Sequence, residues 1–552
     1  MLLGFLAACG SDDSSDEPED TGAKDKDGGD DSAGDTDSET EEDTEELDTE
    51  ATVVTYEVSV NGEDVPVTRM YQLKVPVNYV LLDHDGASLD IEVKAESDIE
   101  EFTLSPKSKN LEATASDDTL TFSVDEPGYL VLQIKDQERL FILIDEKEDD
   151  PPEIGDSNVR NLMDYDDIDN KGREDMTELL QAAVDEASGS DRNILYVPAG
   201  TYAIETLTMK DDMTLYLEKG ALLKNITTKG NLLSQPEELT LIEGRSKGFI
   251  MMNGISNATI RGRGAIDGNG SNLSRKMFLI KIQHSSDCHI DGIVSRNSPF
   301  WNVMIYRSDE IHIANFKVIN NRLDDKHNET DGVDFNNCTN STLTNAFLYT
   351  GDDCMAVKSD DIQDDLDIDG LGDPTEDGSG YIAVDNIVHE KIVCFSGSAA
   401  CKVGTKTFGE SMSNVVFRDV DVITTDRVLV IDAVDTANIR DTLFEDIRIE
   451  HVTGRLVDIN MRAEEIYWRI TPGVATVTNT TFKDVVADNS AAIRIEGVLH
   501  DWAEETDPYY GEEYYVNDVT FDNFAIEGTV LTSQEDGPFD VNDYVTGITF
   551  QE

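Results

Sequence analysis

Basic residues, long apolar runs and zinc-binding cysteine patterns are scarce or absent in this sequence. The 552 residues include 43 Lys and Arg against 115 Asp and Glu, which gives a formal net charge of −72. This balance argues against nucleic acids and anionic membranes as partners, because both repel an acidic surface. No run of about 18 apolar residues follows the first ten residues, so no membrane-spanning helix is predicted. The six cysteines form no Cys-x-x-Cys pair and no Cys/His spacing typical of zinc sites.

The acidic charge extends along the whole chain. Residues 1–52 hold 20 acidic residues and 2 lysines, so most of the negative charge belongs to the remainder. Salt screens the repulsion between such surface charges. We therefore interpret the charge as an adaptation for solubility in a saline habitat.

The first ten residues contain a short apolar run that ends in Leu-Ala-Ala-Cys9. This run resembles the lipobox of bacterial lipoproteins, in which the cysteine is lipidated. The basic residues that usually precede such a run are missing, which favours a start codon further upstream. The resemblance implies a lipid anchor on Cys9 as the only membrane attachment. It predicts a location in the bacterial cell envelope, on the outer membrane or the extracellular surface.

The sequence predicts four segments, the first of which, residues 1–9, is the remnant of the lipoprotein signal. Residues 10–52 form an acidic tether that has almost no apolar surface to bury. Residues 53–150 alternate polar and apolar residues in short runs, which predicts a β-sandwich. Residues 151–552 repeat short strands around one-residue Asn, Asp or Gly corners roughly every 23 to 39 residues, as parallel β-helices do. One helix is predicted there, from Asp175 to Ala187. The expected fold class is thus all-β, a solenoid preceded by a small β-sandwich.

Three aspartates are candidates for catalysis. Asp331 follows Thr330 in a Thr-Asp-Gly motif, and the pair Asp352–Asp353 follows Gly351 on the next coil, 21 residues later. Coils of a β-helix lie about 4.8 Å apart, so the three carboxylates should cluster. Carboxylates that close cannot all ionise freely, and at least one pKa should rise. A protonated acid beside an ionised base predicts glycoside hydrolysis, whereas solvated turns are the alternative in a chain so rich in Asp.

Five motifs occur in a characteristic order along the chain. They are Pro198-Ala-Gly-Thr-Tyr, Gly262-Arg-Gly-Ala-Ile-Asp-Gly, Asn297-Ser-Pro-Phe-Trp, Thr330-Asp-Gly-Val-Asp and Gly351-Asp-Asp-Cys. With these motifs, residues 155–530 resemble glycoside hydrolase family 28, the polygalacturonases, and the sandwich ahead of the solenoid resembles the layout of family 49 dextranases. The resemblance implies a right-handed parallel β-helix of the pectate-lyase class. It also implies inverting hydrolysis of a polysaccharide without a catalytic cofactor, and we expect a monomer.

The resemblance also assigns roles to individual residues. Asp352 matches the general acid that protonates the glycosidic oxygen, and Asp331 and Asp353 match the pair that activates water. Such an inverting site needs about 6.5–9.5 Å between acid and base. Cys354 and Cys394 match a disulfide of the polygalacturonases.

Two departures from the family pattern bear on the substrate. Polygalacturonases have a histidine where this chain has Ala399. Their Arg-Ile-Lys, which holds a uronate carboxylate, matches a strand with Leu429 and Ile431 at the two basic positions. Because an unpaired buried carboxylate is costly, we predict that plain polygalacturonate is not the substrate. A neutral or differently charged glycan is expected, with Lys358 and Lys402 as candidates for positive charge near it.

Other side chains are weaker candidates for substrate binding. Trp301, Tyr306, Tyr467 and Trp468 are candidates for stacking on sugar rings, although aromatic residues of a β-helix also pack in the core. His327 precedes Asp331 by four residues and either faces the cleft or lies in an exposed loop.

An acidic loop follows the aspartate pair and fits the pattern of a Ca²⁺ loop. Oxygen-bearing residues occupy positions 1, 3, 5, 9 and 12, and glycine occupies position 6. A structural Ca²⁺ and an acidic solvated loop both remain open. The predicted ligands are Asp365, Asp367, Asp369, Asp373 and Glu376.

Two other functions remain open at this point. A polysaccharide lyase on the same fold would need Ca²⁺ and a basic residue beside a uronate. A non-catalytic glycan-binding β-helix is kept open by Ala399 and by the missing Arg-Lys pair. Release of reducing sugar would identify a hydrolase, and ultraviolet absorbance from a new double bond would identify a lyase.

Overall fold

The structure is a computed structural model. Cys9 and the acidic tether, residues 10–52, lie outside the described part of the chain. The described residues are 56–71, 73, 75–227, 248–271, 277–320, 329–359, 383–435, 437–462, 475–501 and 510–551.

Ten strands at the N-terminal end form two five-stranded sheets. In the strand from Leu89 to Ala95, apolar side chains are buried and the charged ones between them are exposed. Alternation in sequence thus places one face of each sheet on a shared core, which makes a β-sandwich. The strands are β1 (Tyr56–Val60), β2 (Glu63–Val65), β3 (Thr68–Met70), β4 (Val77–His84), β5 (Leu89–Ala95), β6 (Phe102–Ser105), β7 (Ala113–Ser116), β8 (Thr119–Val124), β9 (Gly128–Ile134) and β10 (Arg139–Glu146). Their orders are β2-β1-β5-β8-β7 and β3-β4-β10-β9-β6.

The rest of the described chain winds into coils of short strands that pair in parallel with the coils before and after. Together they make one continuous 29-stranded sheet around an apolar core. The prediction of a right-handed parallel β-helix behind a small β-sandwich is confirmed. The elements are β11 (Val159–Asn161), β12 (Lys171–Asp175), α1 (Thr177–Ala187), β13 (Ile194–Val197), β14 (Gly200–Ile204), β15 (Leu207–Thr208), β16 (Met213–Leu217), β17 (Ala221–Asn225), β18 (Gly248–Asn253), β19 (Ser256–Gly262), β20 (Ala265–Asp267), β21 (Phe278–Gln283), β22 (Ser286–Asp291), β23 (Val294–Arg296), β24 (Val303–Tyr306), β25 (Asp309–Asn320), β26 (Val333–Asn336), β27 (Thr339–Thr350), β28 (Met355–Ser359), β29 (Val384–Ser396), β30 (Ala399–Thr407), β31 (Ser411–Ala433), β32 (Asn438–Ile449), β33 (Val452–Met461), β34 (Val477–Ala487), β35 (Ala492–Glu496), β36 (Val498–Leu499), β37 (Glu513–Tyr514), β38 (Val516–Ile526), β39 (Thr529–Val530), β40 (Phe539–Val541) and β41 (Val545–Gln551).

Residues in the left-handed conformation bend the chain at the corners of the coils. Asn315 in β25 and Asn345 in β27 both have φ of 48°. Asparagine adopts this conformation at little cost, because its short polar side chain can form local hydrogen bonds. Asn345 Nδ2 donates to Asn315 Oδ1 at 2.6 Å. The corners of neighbouring coils are therefore tied to one another at the one-residue positions that the sequence predicts.

One column of strands, which we call the front sheet, carries the predicted catalytic motifs. It consists of β18, β21, β24, β26, β28, β30, the C-terminal part of β31, β33 and β35. Strand alternation sends neighbouring side chains to opposite faces. In β26, Val333 and Phe335 belong to the core inside the coils. Asp334 and Asn336 consequently point to the outer face.

The sandwich packs on the column of strands that leads into the front sheet. Phe141 of β10 lies 4.9 Å from Phe347 and 5.0 Å from Tyr349, measured between ring centroids. Lys317 is fully buried at this contact, and its Nζ lies 2.5 Å from Asp145 Oδ2. Because β27 ends one residue after Tyr349, the sandwich supports the strand that carries the chain into the aspartate pair.

Among the residues that the structure describes, no helix is both long enough and apolar enough to cross a membrane.

Candidate active site

Strand pairing in the front sheet brings the two aspartate motifs together. Val333 pairs in register with Met355. Asp331 and Asp353 each lie two residues before these partners and are therefore side by side on neighbouring coils. A backbone hydrogen bond of 2.8 Å between the two motifs fixes this alignment. Since Asp352 directly precedes Asp353, the three predicted aspartates form one cluster.

Asp352 is the most accessible member of the aspartate cluster. It is half-buried, whereas Asp331 is only 3% exposed and Asp353 only 2%. Burial, and after it the negative charges of the other two aspartates, raises the pKa of Asp352 to about 8. Its Oδ1 accepts a hydrogen bond of 3.0 Å from the backbone N–H of Asp353. At neutral pH this carboxyl therefore holds a proton, and Oδ2 is the oxygen that can present it.

Asp331 and Asp334 share a single lysine on the next coil. Lys358 Nζ lies 2.9 Å from Asp331 Oδ2 and 2.6 Å from Asp334 Oδ2. Burial raises the pKa of both carboxyls, and the positive charge of Lys358 opposes that rise. The pKa of Asp334 is raised the more strongly of the two. Asp331 is thus the carboxyl that ionises more easily, and its Oδ1 has no hydrogen-bond partner among the described residues.

Asp353 is the carboxylate that the site keeps ionised. Burial raises its pKa, but the charges of Lys402 and then Lys358 outweigh burial and hold the pKa below its usual value. Lys402 Nζ lies 2.7 Å from Asp353 Oδ2, and Ser398 Oγ donates to Oδ1 at 3.1 Å. Two neighbours in the chain, Asp352 and Asp353, therefore have pKa values shifted in opposite directions.

Three of the predicted substrate-binding residues, Lys358, Lys402 and Trp301, lie at this cluster and contact mainly the protein itself. Lys358 and Lys402 are 4% and 7% exposed, and carboxylates engage both amino groups. Lys358 Nζ also lies 3.7 Å from the ring centroid of half-buried Trp301. Tyr306 is 5% exposed and belongs to a small apolar group with Phe278. Contact of these side chains with a sugar stays a prediction.

The alignment of Leu429 and Ile431 with groove-facing basic residues is wrong. Both side chains are fully buried in the core inside the coils. Arg427, in the same segment of β31, reaches the outer face, where its Nη1 lies 3.0 Å from Asp432 Oδ2. Ala399 pairs in register with Arg427. The position that Asp331 and Asp353 hold on their coils is therefore taken by Ala399 on the next coil and by Arg427 on the one after it.

A disulfide joins Cys354 to Cys394, with the two Cα atoms 6.4 Å apart. Cys354 directly follows Asp353, and Cys394 lies in β29 on the following coil. The aspartate pair is thus covalently tied to its neighbouring coil. Among the described cysteines, Cys288, Cys338 and Cys401 are buried free thiols.

Sequence reasoning missed Asp334, Ser398 and Arg427 as members of the site. A signal was present for Asp334, which stands between two core residues in the motif Thr330-Asp-Gly-Val-Asp and must face outward. Ser398 and Arg427 lack such a signal, because their approach to Asp353 depends on the lengths of two intervening coils.

Several predicted residues fall outside the described part of the chain, and their predictions stay untested. Where the structure does describe the chain, no group of three or more His, Cys, Asp or Glu is arranged to hold a metal ion. The residues outside it are His327, the stacking candidates Tyr467 and Trp468, and the predicted Ca²⁺ ligands Asp365, Asp367, Asp369, Asp373 and Glu376.

Comparison with known proteins places this site in a family context. The family model described as "Glycosyl hydrolases family 28" matches residues 189–534. A "Probable polygalacturonase" of Vitis vinifera is 26% identical over 356 residues, covering 59% of this chain and 68% of the relative. The Yersinia enterocolitica family 28 exopolygalacturonase has a similar fold, with a TM-score of 0.50 and 16% identity over 86% of this chain and 98% of that one. Dex49A from Penicillium minioluteum matches with a TM-score of 0.52 and 11% identity over 90% of this chain and 93% of that one.

Proposed function

Because the chain belongs to glycosyl hydrolases family 28, and is a polygalacturonase-like glycosidase that acts on a polysaccharide, we propose that it cleaves its substrate by inversion. In this proposal Asp352 is the general acid. Asp331 and Asp353 are the pair that activates water.

The opposite pKa shifts of two adjacent carboxyls carry this proposal. Burial and negative neighbours raise the pKa of Asp352 to about 8, whereas two lysines outweigh burial at Asp353 and lower its pKa. A pair of titratable groups whose pKa values are pushed apart identifies the acid and the base of a site. The half-buried position of Asp352 also suits a group that must reach the glycosidic oxygen.

A position for water is available beside Asp331. Its Oδ2 is held by Lys358, whereas its buried Oδ1 has no hydrogen-bond partner among the described residues. A buried acceptor without a partner is costly unless water or a ligand satisfies it. A water bound there would be oriented by Asp331 and could pass its proton to the Asp331–Asp353 pair.

The proposed reaction is a single displacement at the anomeric carbon. Asp352 donates its proton to the glycosidic oxygen as the bond from that oxygen to the anomeric carbon breaks. The water oxygen forms the new bond from the opposite face, and its proton passes to the Asp331–Asp353 pair. This geometry requires about 6.5–9.5 Å between acid and base to admit the water.

In this proposal the two lysines form ion pairs with the carboxylates of the site and do not contact the substrate. Lys358 is shared by Asp331 and Asp334, and Lys402 is bound by Asp353. Carboxylates of the site thus engage both ammonium groups, which leaves neither of them free to pair with a uronate at the cleaved sugar.

We therefore keep the prediction that plain polygalacturonate is not the preferred substrate, on changed grounds. Leu429 and Ile431 no longer support it, because they face the core. The support is now the pairing of Lys358 and Lys402 with carboxylates of the site. A neutral sugar at the point of cleavage fits this arrangement best.

An Asp352→Asn variant tests the assignment of the general acid. Asparagine cannot donate that proton, so turnover of a polysaccharide should fall by about 10²–10⁴-fold. A dinitrophenyl glycoside of the same sugar needs no protonation of its leaving group, and its hydrolysis should be largely retained. Near-normal cleavage of the polysaccharide by this variant would refute the role of Asp352.

The anomeric configuration of the product tests inversion. Proton NMR recorded within the first turnovers should show the product anomer opposite to the substrate linkage. A product that retains the configuration would contradict the water-activating role of Asp331 and Asp353. Absence of hydrolysis across a panel of glycans would favour the non-catalytic binding protein instead.

A further inference from the structure

Four arginines gather at the outer face of the front sheet, on the coils beyond the aspartate cluster. We call them the arginine cluster. Their side chains are between 19% and 39% exposed, so solvent and ligands reach them. The cluster consists of Arg427 in β31, Arg455 in β33, Arg462 just after β33 and Arg494 in β35.

Strand register places the arginine cluster in line with the catalytic aspartates. The residue after Asp353 donates its backbone N–H to Ala399 O at 2.8 Å. Ala399 pairs with Arg427, and Arg427 pairs with Arg455. Arg455 therefore lies three coils beyond Asp353 in the same row. At about 4.8 Å per coil the separation along the sheet is roughly 14 Å, a distance that a bound oligosaccharide can span.

Two buried carboxylates hold the arginine cluster in place. Asp458 is completely buried and lies 2.6 Å from Arg494 Nε, 3.5 Å from Arg427 Nη1 and 3.6 Å from Arg455 Nη1. Asp432 is 1% exposed and lies 3.0 Å from Arg427 Nη1. One guanidinium would neutralise each carboxylate, yet Asp458 alone collects three.

The arginine cluster concentrates positive charge on a chain whose net charge is −72. Arg462 Nη2 lies 3.6 Å from Asp432, and Arg494 Nη1 lies 3.8 Å from Glu496. Guanidinium groups held this close repel one another, which favours the binding of an anion beside them.

Arg455 is the member with the most unused hydrogen-bonding capacity. Its side chain is 39% exposed, and its contact with Asp458, at 3.6 Å, exceeds hydrogen-bond length. A guanidinium carries five N–H donors in a planar fork that matches a carboxylate or an oxyanion. The buried carboxylate thus orients Arg455 and leaves the outer edge of its guanidinium to solvent.

We propose that the arginine cluster is a subsite for an anionic group, a carboxylate or a sulfate ester, carried by the glycan several sugars away from the bond that is cleaved. This inference rests on the proposed function, since it adds a specificity subsite to the same groove. The substrate is then neutral at the aspartate cluster and charged at the arginine cluster. Arg455 supplies the main contact, and Arg494 and Arg427 complete the positive surface.

Binding of matched oligosaccharides to the full chain tests the subsite. The Asp352→Asn variant serves as the background, so that no ligand is cleaved. The probes are an oligogalacturonide with its methyl-esterified form, and a sulfated galactan oligosaccharide with its desulfated form. Within at least one pair, calorimetry should show that the anionic member binds about tenfold or more tightly, as a charge-assisted hydrogen bond predicts. The pair that responds distinguishes a carboxylate from a sulfate.

Adding Arg455→Gln should remove most of this preference while leaving the affinity for the neutral member unchanged. Arg440→Gln is the matched control, because Arg440 is exposed on β32 and its one ion pair among the described residues is with its neighbour Asp441. Equal binding within both pairs, binding of none of the four probes, or a preference that survives Arg455→Gln would each overturn the subsite.

Hydrolysis by the wild-type chain, measured in parallel, keeps the two proposals separate. Cleavage without a preference for anionic glycans refutes the subsite alone, whereas full polysaccharide turnover by Asp352→Asn refutes the proposed acid alone.

Discussion

Asp352 and Asp353 occupy adjacent positions in the chain but differ in protonation because their neighbours differ. Lys402 Nζ contacts Asp353 at 2.7 Å. No described lysine or arginine forms an ion pair with Asp352, whose nearest charged neighbours include two carboxylates. One residue of displacement along the chain therefore decides which carboxyl gives a proton and which stays charged.

The raised pKa of Asp352 predicts the alkaline limit of activity. A general acid must be protonated to act, so kcat/KM should fall tenfold per pH unit once the pH rises above about 8. The measurement is a pH–rate profile on a polysaccharide substrate, with the folded state checked by circular dichroism at each pH. An alkaline limb centred near pH 5 would contradict the raised pKa of Asp352.

Lys358 should act as a positioning residue for Asp331. In Lys358→Met the carboxyl of Asp331 loses its cation, and its pKa should rise further because burial is no longer opposed. Since the reaction requires an ionised Asp331, the acidic limb of the pH–rate profile should move to higher pH, and kcat should fall by about 10²-fold or more.

Lys224→Met is the control for that variant, because Lys224 lies in β17, outside the front sheet. The control should leave the profile unchanged. If Lys358→Met lowers kcat without moving the acidic limb, Lys358 has only a structural role.

Among individual site residues, the sequence predicts those that belong to motifs. It misses their interaction partners, because which residues meet depends on the lengths of the intervening coils. Asp331, Asp352 and Asp353 follow from motif spacing. The ion pair between Asp334 and Lys358 does not, because it forms only when one coil brings these two positions onto adjacent strands. Leu429 was misassigned for a related reason. One residue of error in aligning a strand exchanges its inner and outer faces.

At the scale of the coil, the corners were predictable where the residue type favours the left-handed backbone conformation. Asn315 and Asn345 turn the chain at φ of 48°, and asparagine is suited to that conformation. Glu310 and Lys391 turn at φ of 55° and 59°, yet neither residue type signals a turn. Stacking between neighbouring coils imposes their conformation, so a local pattern could not reveal it.

The disulfide should stabilise the coil that carries the aspartate pair. Cys354 and Cys394 are 40 residues apart, and a loop of that length predicts a loss of about 4 kcal/mol in unfolding free energy when the bond is absent. The double variant Cys354→Ala/Cys394→Ala should show this loss in urea unfolding.

Cys288→Ala is the control for the disulfide variant, because Cys288 is a buried free thiol. It should cost much less, since it removes one small side chain and no cross-link. A double variant that is as stable as this control would show that the cross-link does not support the fold.

At the scale of the whole molecule, the sandwich and the β-helix share a buried interface. Apolar residues of β4, β9 and β10 form one cluster with residues of β23, β25, β27, β29 and β31. Alternation in the sequence predicts the sandwich strands, but it does not predict which remote column of strands they cover. Contacts such as that between Phe141 and Phe347 depend on the final arrangement of both parts.

Asp145 should be a stability-determining residue of this interface. It lies 2.5 Å from the buried Lys317 Nζ and 3.4 Å from Arg263 Nε. Asp145→Asn keeps the shape but removes the carboxylate that pairs with buried Lys317 and one of the two carboxylates beside Arg263, whose other partner is Asp83 at 3.7 Å. Leaving Lys317 buried without its counter-charge should cost about 3–5 kcal/mol in unfolding free energy.

Glu57→Gln is the matched control in the same sandwich, since Glu57 pairs with Lys94 at 3.6 Å at an exposed position. An exposed pair contributes at most about 1 kcal/mol. Equal unfolding free energies for Asp145→Asn and Glu57→Gln would show that the buried pair does not hold the two parts together.

The pairing of the buried charges gives the molecule two separate responses to ionic strength. Carboxylates on the exterior repel one another over distances that dissolved ions shorten, from about 8 Å at physiological salt to about 3 Å at 1 M. Lys358 and Lys402 meet their carboxylates at 2.9 Å and 2.7 Å in positions shielded from solvent, where dissolved ions screen much less. High salt should therefore shift the folding equilibrium of this chain far more than the protonation of its catalytic carboxyls.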